Sequence, residues 1–261
     1  MMEGMESNPF IVADAPAADR AAFFRRTYGL VAIGFAAFAA LLAIFFVGFE
    51  VTPGVRGLSE TTYGTGVAAA FMGALDVMRR SLGNWSMLLV FLAFWGGTIV
   101  AQSLAFNRAS RGTQYAGLSF YVVLEALIFI PLIGYVIYYS KGNASSVLLP
   151  AGIVTAGMIA GLTALVFMTN LDFSFLKVAI ILGSFAVLAI VIVAAIVGLS
   201  LGAWFSIAMI VLMATVILYQ THEIKNTLET DQHVAAAFIL FSSFVTLLFY
   251  VIRFFAGGRR D

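Results

Sequence analysis

The stretch VAAAFILFSSFVTLLFYVI, residues 234–252, is 19 residues long and holds no Asp, Glu, Lys, Arg or His. At 1.5 Å of rise per residue it extends about 28 Å, close to the roughly 30 Å of a bilayer's hydrocarbon core. Ser242, Ser243 and Thr246 sit near its middle. Hydroxyls at that depth need hydrogen-bond partners, so the stretch predicts a membrane helix packed inside a bundle. The polar hinge Gln220 to His233 leads into it.

Composition extends this reading to the whole chain. Of 261 residues 62% are hydrophobic and 10% charged, against about 25% charged in soluble domains. A soluble fold could not hide so much apolar surface, so the expected class is an all-α integral membrane protein in a lipid bilayer. A net charge of +1 without a basic run argues against a nucleic-acid partner. Cysteine is absent, and His222 and His233 do not make a zinc spacing. Neither a metal site nor a cofactor is therefore expected.

Working back from the last span, residues 178–221 contain no acidic, basic or histidine side chain over 44 positions. One helix of that length would be about 66 Å long, so two spans are required, near 176–198 and 201–221. The break falls between Gly198 and Gly202. A span near 146–169 carries Gly152, Gly157 and Gly161, a small-residue face that predicts close helix contact. The span near 114–139 holds Glu125 at its centre, Pro131 six residues on, and the interfacial tyrosines Tyr135, Tyr138 and Tyr139. Another, near 84–107, is entered through Trp85.

The first span covers about 27–49, behind Arg25 and Arg26. Its 23 uncharged residues exceed a signal peptide's apolar core, so no cleavable signal is expected. Between the first two spans, Pro53, Gly54 and Gly57 predict a turn. A short surface helix is expected over 65–78, kept out of the membrane by Asp76, Arg79 and Arg80. Residues 1–26 read as a polar tail, mostly disordered and helical from near Asp19, and 256–261 as a short C-terminal tail. Spans 234–255, 27–49 and the five between them total seven.

Lys and Arg divide evenly between the two sides. Arg20, Arg25, Arg26, Arg108, Arg111, Lys177 and Lys225 fall on the N-terminal side, against Arg56, Arg79, Arg80, Lys141, Arg253, Arg259 and Arg260. The flank of the first helix favours a cytoplasmic N-terminus.

Residues 169–176, TNLDFSFL, resemble the T-x-x-D-[FM]-S-F-L loop of the Bax inhibitor-1 family. Residues 217–221, ILYQT, resemble its I-L-Y-D-T. Glu229-Thr230 resembles its E-T, Arg253-Phe254-Phe255 its closing R-[FIL]-[FL], and residues 24–30, FRRTYGL, its opening. The resemblance implies seven helices with the last one central in the bundle, as the hydroxyl argument requires. It also implies a bacterial inner (plasma) membrane location.

Members implicated in calcium or proton leak carry two buried aspartates. The first position is Gln220 here. The second falls on Ser243 counting back from Arg253, or on Ser242 counting forward from Glu229-Thr230. Neither serine is ionisable, so a carboxylate pair sharing a proton cannot exist there. The YccA branch is similar in having serine in its last helix, and YccA-like proteins restrain the membrane protease FtsH.

Glu125 is the candidate intramembrane charge. A carboxylate at mid-membrane costs several kcal/mol when ionised. It either binds a proton or cation in its function, or is a neutral carboxyl bonded to a neighbouring helix, for instance to the carbonyl freed by Pro131. Gln220, Ser242 and Ser243 read as an uncharged latch or ordinary interhelical glue. His222, Glu223, Glu229, Asp231 and His233 form a polar loop, read as a solvated connection or a weak cation or pH sensor. Arg253 is expected to snorkel to the interface.

Two functions follow as expectations. One is a non-enzymatic regulator of membrane-protein quality control or stress response, working through an FtsH-like protease or another membrane protein. The alternative is a pH-sensitive calcium or proton leak or exchanger that uses Glu125. No HExxH, no GxGD-type aspartyl pair and no Ser–His pair at membrane depth supports an enzyme.

Overall fold

The central element is α8, His233–Gly257, in which 67% of the 18-residue apolar window is buried. This computed structural model describes residues 10–52, 62–83, 85–140, 142–169, 171–199 and 201–257. Around α8 stand α1 (Ala17–Phe45), α3 (Trp85–Ala105), α4 (Arg111–Tyr139), α5 (Ser145–Met168) and α7 (Ala203–Asn226), all packed against it. The remaining long helix, α6 (Leu176–Val197), leans on α3 and α7, and none of its apolar window is buried. Among the described residues, seven helices are thus long and apolar enough to span a membrane. The last lies at the centre, as expected, with five of the other six helices packed on it.

The reason for that position is only partly the one the hydroxyls suggested. Ser242 donates to the Ile239 carbonyl at 2.9 Å and Thr246 to the Ser242 carbonyl at 2.7 Å, both within α8. Among these three hydroxyls, Ser243 is the one that donates to another helix. Shape does more. Ala235, Ala236 and Ala237 are buried and let neighbours approach, and Phe238, Leu240, Phe241, Phe244, Val245 and Leu247 fill the centre. Membrane helices gain little from hydrophobicity among themselves, so this close packing is what holds them. Aromatic edges tie three of the helices together. Phe38 of α1 meets Phe129 of α4 at 4.8 Å, Phe35 of α1 meets Phe241 at 5.1 Å, and Tyr121 of α4 meets Phe238 at 4.6 Å.

Close backbone approach occurs elsewhere than expected. A Cβ on Gly117 of α4 would lie 2.5 Å from the Ala105 nitrogen and 2.7 Å from the Ala101 carbonyl of α3. Nothing lies within 4 Å of the corresponding positions on Gly152, Gly157 or Gly161. The glycine face of α5 is therefore not a helix contact, and its spacing alone could not show which way it points.

A short hairpin, β1 (Phe49–Thr52) with β2 (Thr62–Gly64), leads into α2 (Val67–Leu82), the surface helix. The turn predicted at Pro53, Gly54 and Gly57 lies outside the described residues. Tyr63 donates to Asp76 at 2.6 Å, and burial followed by this acidic neighbour pushes its hydroxyl up to about 12. Among the described residues of the α6–α7 turn, Gly198 uses the left-handed region, with φ of 78°.

The expected tail is ordered from Phe10 onward. Val12 is fully buried and its amide donates to the Leu228 carbonyl at 2.8 Å, while the Thr230 amide donates to the Phe10 carbonyl at 2.9 Å. Residues 10–15 therefore strap the α7–α8 loop, and α1 begins at Ala17. Residues 1–9 and 258–261 lie outside the described residues.

Candidate functional site

Glu125 is 7% exposed on α4. Residues four apart stack on one helix face, so Tyr121 stands directly beside it. The Tyr121 hydroxyl lies beside the Glu125 carboxyl and beside Ser242 of α8. The next residue, Ser243, donates to Gln220 Oε1 of α7 and lies 3.2 Å from the Ile239 carbonyl. Glu125 and Tyr121 of α4, Ser242 and Ser243 of α8 and Gln220 of α7 thus form a polar track of neighbouring groups across three helices.

The track borders two adjoining crevices. One of about 320 Å³ is lined by Glu125, Thr98 and Thr246. The other, about 630 Å³, is lined by Tyr121, Gln220, Ser242 and Ser243. Phe91 and Trp95 of α3 and Thr246 and Tyr250 of α8 border both. A water molecule takes about 30 Å³ in the liquid, so each crevice has room for several.

This arrangement joins candidates that the sequence left separate. Glu125 stands beside Tyr121 of its own helix. Of the two serines, Ser243 is the one that meets Gln220, and Ser242 is the one that meets Tyr121. Chemically, the track offers one acid, one phenol and three neutral groups. It can hold a proton at Glu125, whereas the Gln220–Ser243 contact has no group that titrates near neutral pH.

Tyr121 escaped the sequence reading, although its i−4 spacing from Glu125 was a usable signal. The walls supplied by α3 depend on tertiary packing and left none.

The polar loop does not gather into one cluster. His222 Nε2 lies 3.6 Å from Asp172 Oδ1, across the α5–α6 turn. Asp172 also accepts the Ser174 amide at 2.9 Å, and the Ser174 bonds, then the His222 charge, hold its carboxyl below the usual range. Glu229 pairs with Arg108 at 3.2 Å. Glu223 lies beside Tyr219, and Asp231 lies near the His233 ring. His233 itself turns towards Arg25, Arg26 and Arg111. Among the described residues no three His, Asp or Glu side chains gather as a metal site.

Arg253 does not simply snorkel. Its guanidinium donates to the Leu201 carbonyl and sits 5.6 Å from the centre of the Phe205 ring, clasping the α6–α7 turn.

Compared with known families, residues 20–261 match the model described as "Inhibitor of apoptosis-promoting Bax1". No curated protein sequence matches the chain.

Proposed function

The chain belongs to the Bax inhibitor-1 family, and from that premise we propose that it is a non-enzymatic membrane regulator of protein quality control or stress response. It acts by contact with another membrane protein, an FtsH-like protease being the partner class that the YccA resemblance suggests. The observation that supports this is the Gln220–Ser243 hydrogen bond between α7 and α8. Where the resemblance implies two aspartates sharing a proton, this chain has an amide and a hydroxyl. Such a contact keeps the two helices together at any pH, so it provides a fixed surface rather than a pH-gated path.

A second reading rests on Glu125. Its carboxyl lines a crevice beside the same contact, where it could serve a calcium or proton leak in place of the missing pair.

Reconstitution into liposomes separates the two. The regulator reading expects negligible calcium flux from pH 6 to 8, together with capture of a membrane protease on the tagged chain from native membranes. A robust, pH-gated calcium flux that Glu125→Gln abolishes would overturn it in favour of the leak.

A further inference from the structure

At the bundle end that carries the N-terminus, Arg25 and Arg26 of α1, Arg111 of α4 and His233 of α8 border a groove of about 410 Å³. None of these arginines has a carboxylate partner among the described residues, whereas Arg79 and Arg108 each have one. His233 is 3% exposed, and its buried Nδ1 has no hydrogen-bond partner. Arg111 and His233 are the first residues of α4 and α8. Two helix N-termini therefore add their positive ends to the same place. Three cations and two dipole ends converge on a groove whose lining holds no carboxylate, Asp231 being the acidic group near His233.

The groove does not stop at the charges. Leu30, Ile33 and Tyr115 also line an apolar groove of about 420 Å³ that continues between α1 and α4 to Ile44. Ala37 and Ala40 keep its α1 wall low, while the open side of Gly34 faces Phe241 of α8. From Leu30 to Ile44 the helix rises about 21 Å, more than the roughly 15 Å of one leaflet's share of the core.

We propose that the α1–α4 groove binds an anionic phospholipid, its phosphate among Arg25, Arg26, Arg111 and His233 and an acyl chain along Ala37 and Ala40. Free phosphate would satisfy the basic end and leave the apolar end unfilled. A lipid fills both.

The test is native mass spectrometry of the full chain in neutral detergent, titrated separately with phosphatidylglycerol, phosphatidylcholine and glycerol phosphate. The wild type should retain phosphatidylglycerol about tenfold more strongly than phosphatidylcholine. Arg26→Gln with Arg111→Gln should weaken that binding about thirtyfold, while Arg79→Gln with Arg80→Gln, an equal loss of charge elsewhere, leaves it unchanged. Should the double variant fail to fold, the single changes serve, each expected to cost about fivefold. Ala40→Phe blocks the apolar groove and should weaken the lipid but not glycerol phosphate. Equal retention of the two lipids, or unaltered binding in the arginine variants, would overturn the proposal. So would glycerol phosphate binding as tightly as the lipid with no effect of Ala40→Phe, which would reduce the groove to a simple anion pocket.

Discussion

Glu125 carries the chemistry of the polar track, and its neighbours determine what replacing it costs. Glu125→Gln keeps the shape and can still accept from or donate to Tyr121, so its cost should stay below about 1 kcal/mol. Glu125→Leu leaves Tyr121 only Ser242 and places methyl groups against a hydroxyl, at about 1 to 3 kcal/mol. Melting temperature in detergent checks both. A Gln variant that melts as far below wild type as the Leu variant would show that the acid itself is structural. The sequence showed Glu125 plainly, because a mid-span charge is conspicuous. It could not decide between Ser242 and Ser243, since counting from either end of the helix gives a different answer. Only side-chain direction on a packed α8 separates one serine that faces Gln220 from one that faces Tyr121.

At the scale of elements, the same residue type means different things on different helices. Gly117 lies where α3 and α4 touch backbone to backbone, and a methyl there would strike Ala105 and Ala101. Gly117→Ala should therefore push the two helices apart and cost about 1 to 3 kcal/mol. Gly157→Ala, with nothing within 4 Å, should change stability by no more than about 0.5 kcal/mol. Unfolding of both variants in the same detergent compares them directly, and equal losses would contradict the assignment of the contact. Spacing had favoured the α5 glycines because three small residues recur along one helix. Gly117 belongs to no such regular repeat, the other glycines of its helix being Gly112 and Gly134, and periodicity cannot mark a single point of contact. The α6–α7 break, by contrast, was legible, because 44 uncharged residues exceed what one crossing can use.

For the whole molecule, hydropathy and length gave seven spans, while the hydroxyls near residue 243 and the family resemblance gave a central last helix; the described residues hold seven helices long and apolar enough to span, with α8 at the centre. What escaped was built from backbone pairing across the chain. Residues 10–12 bond to residues 228–230, and no local pattern announces a contact between segments more than 200 positions apart. That strap, the Arg108–Glu229 pair and the basic groove all lie at the end of the bundle where the chain begins. Odd crossing number is the property on which the sidedness of these features depends. Fusing a reporter active only in the cytoplasm to each terminus tests it. The account predicts signal from the N-terminal fusion alone, with the C-terminus beyond α8 on the opposite side. Signal from both fusions would contradict it, because an even number of crossings cannot be reconciled with seven spans around a central α8.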